Sequence, residues 1–78
     1  MALLAEEKYE SVQDPSRVVL KIYDQPDHAF LVTEDRQGTT TVVSVLGVFD
    51  TREAAAARLS ARGQELEARR YHRVRPAA

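Results

Sequence analysis

The feature that most constrains this chain is a β-run that feeds straight into a helix. Residues 39–49 are dense in β-branched side chains, and Asp50-Thr51-Arg52-Glu53 then leads into Ala54, Ala55, Ala56 and Ala57. Extended backbone favours the first stretch, and four alanines bring the best intrinsic helix propensity to the second. Asp50 is the predicted N-cap. Glu53, three residues on, completes a capping box by reaching back to the cap's N–H. The helix starts near Arg52, and Ala56, Leu59, Gly63 and Leu66 recur at three- and four-residue steps as its apolar stripe. Gly63 could end a helix, but Gln64-Glu65-Leu66-Glu67-Ala68-Arg69 is again helix-forming, so continuation is expected. Gly47, near the end of the β-run, marks a bulge or a close backbone approach.

Upstream, Val18-Val19-Leu20-Lys21-Ile22-Tyr23 alternates as a strand, with Val18, Leu20 and Ile22 on one side. A second strand spans residues 28–34, between turns at Asp24-Gln25-Pro26-Asp27 and Asp35-Arg36-Gln37-Gly38. Residues 8–12 suggest a short edge strand before the Asp14-Pro15-Ser16 turn, and Tyr71-His72-Arg73-Val74 alternates as a final short strand. Consecutive strands joined by turns make an antiparallel meander the simplest arrangement, with the helix left to cover one face. The expected fold class is therefore α+β: an antiparallel sheet of three to four strands with one long C-terminal helix. One domain is expected over residues 8–75, with residues 1–7 and 76–78 as tails. Phe49, Leu59 and Leu66 should be buried with Leu20, Ile22 and Leu31, or with the opposite sheet face if the pleat runs the other way.

With 78 residues and no cysteine, such a domain buries only about 60% of its unfolded surface and has no disulfide to help. Its core supplies roughly 3–5 kcal/mol. The net charge of −1 lacks the strongly basic balance typical of nucleic-acid-binding domains. No apolar run approaches a membrane span, and the acidic Met1-Ala-Leu-Leu-Ala-Glu-Glu does not fit a signal peptide, so a soluble, cytoplasmic protein is expected.

Catalytic groups are scarce. His28 and His72 lack metal-ligand spacing, so no metal and no cofactor are expected. Ser11, Ser16, Ser44 and Ser60 have no elbow glycines around them, and Asp35-Arg36-Gln37-Gly38 lacks the Lys-Ser/Thr of a phosphate loop. Glu65 and Glu67 leave a helix on different sides. The reading is that this is not an enzyme.

The arginines are the more informative set. Arg58, Arg62 and Arg69 fall at steps of four and seven, predicting one exposed helical face. Arg70, Arg73 and Arg75 extend it toward the C-terminus. Planar guanidinium forks of this kind suit phosphate or carboxylate groups. The competing reading is a solvated face whose arginines sit near the negative helix end.

The turn and helix together resemble the WGR domain, a small sheet-plus-helix module of DNA-dependent poly(ADP-ribose) polymerases and of short free-standing bacterial proteins. Arg36-Gln37-Gly38-Thr39 resembles the Arg-x-Gly of its motif, and Phe49 stands at the aromatic position before the helix. Ala55 and Leu59 take the helix-core positions. Arg70-Tyr71 stands where the family has Gly-Tyr, and Asp14-Pro15 resembles a turn before its first strand. The resemblance covers about residues 12–74 and departs at the motif's centre, where Glu34-Asp35 replaces Trp-Gly. In the family the tryptophan and arginine lie against DNA at a strand break. Two acids there would repel phosphates, which leaves Arg36 as the contact the resemblance implies. The junction from Leu46 to Ala54 is also similar to that of AP2-type and integrase-arm DNA-binding domains, and of some phage-encoded inhibitors of host defence.

The function expected from these residues is a non-catalytic protein-interaction module: an adaptor, regulator or inhibitor. Its partner would be a protein, including a second copy of itself, and no membrane. The alternative is a WGR-like or AP2-like nucleic-acid-binding domain working through Arg36, Arg58, Arg62, Arg69, Arg70 and Arg73.

Overall fold

The structure, a computed structural model, describes residues 2–74. Arg75, the expected domain end, and the expected tail 76–78 lie outside the described residues. Five strands and one helix follow in the order β1 (Ala2–Ser11), β2 (Arg17–Asp24), β3 (Phe30–Gln37), β4 (Thr41–Phe49), α1 (Arg52–Ala68) and β5 (Tyr71–Val74). The strands form one antiparallel sheet in the order β4-β3-β2-β1-β5. The class is α+β, but the expected three to four strands are corrected to five.

The N-terminal strand departs furthest from expectation. Residues 2–7, expected as a tail, are the first part of β1, and the expected short edge strand is instead ten residues long and interior. It pairs with β2 on one side and β5 on the other. Its Ala/Glu-rich sequence has low strand propensity, and pairing on both sides overrides that. A register shift between Leu3 and Ala5 leaves Leu4 as an extra residue packed toward the core.

Two hairpin turns are set by local chemistry. In the β1–β2 turn the Ser16 N–H donates to Asp14 Oδ1 at 2.8 Å, and the Ser11 N–H to the Ser16 carbonyl at 3.0 Å. The Ser16 contacts hold the Asp14 carboxyl below its ordinary pKa. Between β2 and β3, His28 takes a left-handed φ of 63°. It closes a loop in which the Gln25 N–H reaches the Ala29 carbonyl at 3.0 Å. The turn expected at residues 35–38 lies farther on, because β3 continues through Gln37.

The helix cap also shifts by one residue. Thr51, not Asp50, is the N-cap: its Oγ1 accepts from the Ala54 N–H at 3.1 Å. Glu53 then falls at the second helical position, where it opposes the positive end of the helix dipole but cannot close a capping box. The helix runs through Gly63, as expected. At 17 residues it extends about 25 Å, enough to span a five-stranded sheet about 19 Å across. That length carries the chain from β4, at one edge, to β5 at the other.

The core lies between α1 and one sheet face. It comprises Tyr9, Val18, Leu20, Ile22, Val32, Ala55, Leu59 and Leu66, with Phe30, Leu46, Phe49 and Tyr71 packed against it. Ala55, rather than the Ala56 of the stripe read from periodicity, joins Leu59, Gly63 and Leu66 on the buried stripe. Val32 fills the place expected of Leu31, which is only partly buried, and Phe49 is also partly buried. A Cβ on Gly63 would collide with the Tyr9 hydroxyl, so the glycine lets α1 lie directly over β1. Burial pushes the Tyr9 phenol above its ordinary pKa, and nearby Glu7 adds to the effect.

Candidate functional site

Cross-strand partners share a sheet face, so the register assigns each side chain. Val18, Leu20 and Ile22 face the helix, which places Val19, Lys21 and Tyr23 on the opposite, open face. Following the pairs outward, Leu3, Tyr23, Leu31 and Val48 form one row of that face. Thr33 and Val45 belong to the next row, and Asp35 and Val43 to the one after.

This open face divides in two. Over β1–β3 its charges are paired: Lys21 Nζ with Asp35 Oδ2 at 3.2 Å, Lys8 with Glu6 at 3.7 Å and Arg17 with Glu10 at 3.8 Å. The hydrogen bond from Asp35 raises the Lys21 pKa. Over β4 there is no charge. Val43, Val45 and Val48 are exposed there by 64%, 63% and 58%, and Val42 on the other face by 53%. The sequence between Arg36 and Asp50 contains no ionisable residue.

β4 is also a sheet edge, so one side of its backbone has no strand partner. It is not regular throughout. The register shift opposite Val32 and Thr33 leaves Leu46 unpaired and turned to the core, and the adjacent Gly47 is in close approach to the Phe49 ring. A Cβ on Gly47 would stand 2.8 Å from that ring. The bulge leaves Thr41 to Val45 as an uninterrupted stretch of edge.

Of the arginines expected to form one face, Arg58, Arg62 and Arg73 lie beside carboxylates, as does Arg36. Arg62 is only 12% exposed, and its Nε and Nη2 donate to Glu34 at 2.5 and 3.3 Å while Nη1 donates to Glu65 at 3.1 Å. The bonds to Glu34 raise its pKa. This corrects the expectation that Arg62 is an exposed contact. Glu34, 8% exposed, is a buried counter-ion on the helix side of the sheet. Arg36 also lies toward Glu34, at 3.6 Å, Arg58 is 3.9 Å from Glu65, and Arg73 is 3.6 Å from Glu7. Arg69 is the helix C-cap, and Arg70 follows it with a left-handed φ of 66°. His28 and His72 lie apart, in the β2–β3 turn and on β5. An open cleft of about 740 Å³ lies between the β1–β2 and β3–β4 turns. Its two arginines, Arg17 and Arg36, belong to opposite sheet faces by register, so they do not converge on one ligand.

The exposed valines were not among the expected site residues, although their signal was present in the sequence. An edge strand ordinarily carries a lysine, a proline or another charge that discourages pairing. The charge-free interval from Gln37 to Phe49 lacks all of these. Among the described residues no group of three or more histidines and acids could hold a metal ion, and no helix is long and apolar enough to cross a membrane. In comparisons with family models, curated proteins and solved structures the chain matches none, so the WGR resemblance rests on the quoted residues alone.

Proposed function

We propose that this domain is a non-catalytic protein-interaction module that works through the β4 edge and the apolar part of the open sheet face. One observation carries the reading: four valines more than half exposed on a strand that has a free backbone edge and no charge. Unpaired N–H and C=O groups supply main-chain hydrogen bonds to an added strand, and the valines supply apolar contact on both faces. Arg62 is held by a buried carboxylate and is withdrawn from the set that the nucleic-acid alternative needs, and carboxylates 3.6–3.9 Å from Arg36, Arg58 and Arg73 weaken the positive field that would attract phosphates.

The test compares two sets of variants. Protein partners captured by the wild type should be lost with Val45→Lys and Val48→Lys and kept with Arg69→Ala plus Arg73→Ala. The reverse pattern overturns the reading. Duplex DNA should not bind measurably at physiological salt. Sub-micromolar binding with a log–log salt slope near −3.6, as about four phosphate contacts require, would favour the nucleic-acid alternative.

A further inference from the structure

The chemistry of β4 also selects its partner. We propose that β4 pairs antiparallel with β4 of a second copy of this chain, about a twofold axis through Val43, to make a continuous ten-stranded sheet. The inference rests on the reading of β4 as the interaction edge and adds the identity of the occupant.

Three observations lead to it. The first is charge. Between Arg36 and Asp50 no side chain can ionise, so a charged segment laid along this edge finds no counter-charge. The longest uncharged β-run in the chain is β4 itself, and self-pairing opposes no like charges. The second is register. The bulge at Leu46 confines regular pairing to residues 41–45, whose midpoint is Val43. With Val43 opposite its own copy, Val42 meets Ser44 and Thr41 meets Val45. Each pair then joins residues of the same face, as an antiparallel ladder requires. The third is closure. β5, the other edge, has only four residues and carries His72 and Arg73. Head-to-tail pairing of β4 with β5 would set charges beside valines and leave an open chain of subunits. Isologous pairing of β4 closes at two copies and leaves a short, charged β5 at each end.

Five paired residues a side is small beside the roughly 20–30 of a standard interface. The dimer is therefore expected to be reversible, dissociating on dilution through the micromolar range. It should also tolerate high salt, since no ion pair holds it together.

Sedimentation equilibrium over a dilution series, from millimolar to sub-micromolar, tests the proposal. The wild type should shift from dimer to monomer. Val43→Lys and Val43→Glu, each placing like-charged side chains on directly opposite residues whose Cα atoms are about 4.5–5.5 Å apart, should stay monomeric with the wild-type circular dichroism spectrum. An equimolar mixture of the two should recover the dimer. A wild type that is monomeric at millimolar concentration overturns the self-pairing, as does a Val43→Lys protein that dimerises as the wild type does, or a mixture of folded variants that stays monomeric. If either variant fails to fold, Val45→Lys, opposed to Thr41, replaces it and should weaken the dimer at least tenfold; an unchanged dimer overturns the axis. A monomeric wild type that still captures a protein partner through Val45 and Val48 would leave the interaction reading standing while removing this one.

Discussion

The two edges of this sheet are built on opposite principles. β5 is four residues long, carries His72 and Arg73, and is held by a pairing to β1 and by the helix that precedes it. β4 is nine residues long, uncharged and valine-rich; like β5, it has no strand partner on its outer side among the described residues. The path of α1 adds to the difference. The helix leaves β4 at Phe49 and crosses the sheet toward β5, so it covers the far end of β4 and not residues 41–45. A sheet with one short, charged edge and one long, uncharged edge favours strand addition at the second. That asymmetry makes β4 the candidate site and makes a closed dimer possible.

Truncations to alanine on the two sides should therefore have unequal costs. Leu66, fully buried where α1 approaches β5, should lose about 2–5 kcal/mol on substitution by alanine. That is comparable to the roughly 3–5 kcal/mol available to so small a core, so Leu66→Ala should be largely unfolded at room temperature. Val45→Ala should change monomer stability by no more than about 0.5 kcal/mol, as at an exposed site. Urea unfolding below the dimer concentration range separates the two. Comparable costs at both positions would mean that β4 is packed against something and is not an open edge.

The next effect is smaller and of the opposite sign. Arg70 holds a left-handed backbone, φ 66°, immediately after the helix C-cap. This is the position at which glycine usually ends a helix. Its carbonyl accepts the Val12 N–H at 3.0 Å, which ties the end of α1 to the β1–β2 turn on the β5 side. Arg70→Gly keeps that bond, relieves the Cβ crowding and should stabilise by about 1 kcal/mol. A lower denaturation midpoint would show that the arginine side chain itself supports this edge.

The sequence foretold some of these features for clear physical reasons and missed others for equally clear ones. The alternation of Val18, Leu20 and Ile22 identified the central strand, and the alanine run identified the helix, because those signals are local. Asp50 and Thr51 are both good caps, and only the Thr51 hydroxyl, aimed at the Ala54 N–H, distinguishes them. Residues 2–7 have helix-like composition and become strand through partners distant in sequence. Arg62 lies on a helical row with Arg58 and Arg69, but the row does not reveal that Glu34, 28 residues upstream, lies beneath it. For the candidate site, a uniform lack of charge was the legible signal. The arginines are the converse case, since a charged side chain looks the same in a sequence whether or not a partner already neutralises it.

The smallest effect appears only in alkali and probes the closed side. Tyr9 lies on β1 next to β5, buried under Gly63, with its hydroxyl 3.4 Å from Glu7 Oε2. Burial and the Glu7 charge raise its pKa above the ordinary 10.0. The folded state thus favours the neutral phenol. This contribution to stability is complete below pH 10.0 and is lost as pH rises from there through the folded pKa. Lys21 on the open face adds a loss in the same direction. Its pKa is raised above the ordinary 10.5 by the bond to Asp35, so it is charged and paired until it deprotonates at still higher pH. Tyr9→Phe should cost about 0.5 kcal/mol or less at neutral pH, where it removes one long hydrogen bond. Above pH 10 it should reverse that order, with the variant losing stability less steeply than the wild type. Urea midpoints measured on both proteins from neutral pH upward give the crossing directly. Lys21→Met separates the second contribution, because it should leave the Tyr9-dependent slope in place. Parallel curves for wild type and Tyr9→Phe would mean that the phenol reaches solvent and that the helix does not seal the β1–β5 side.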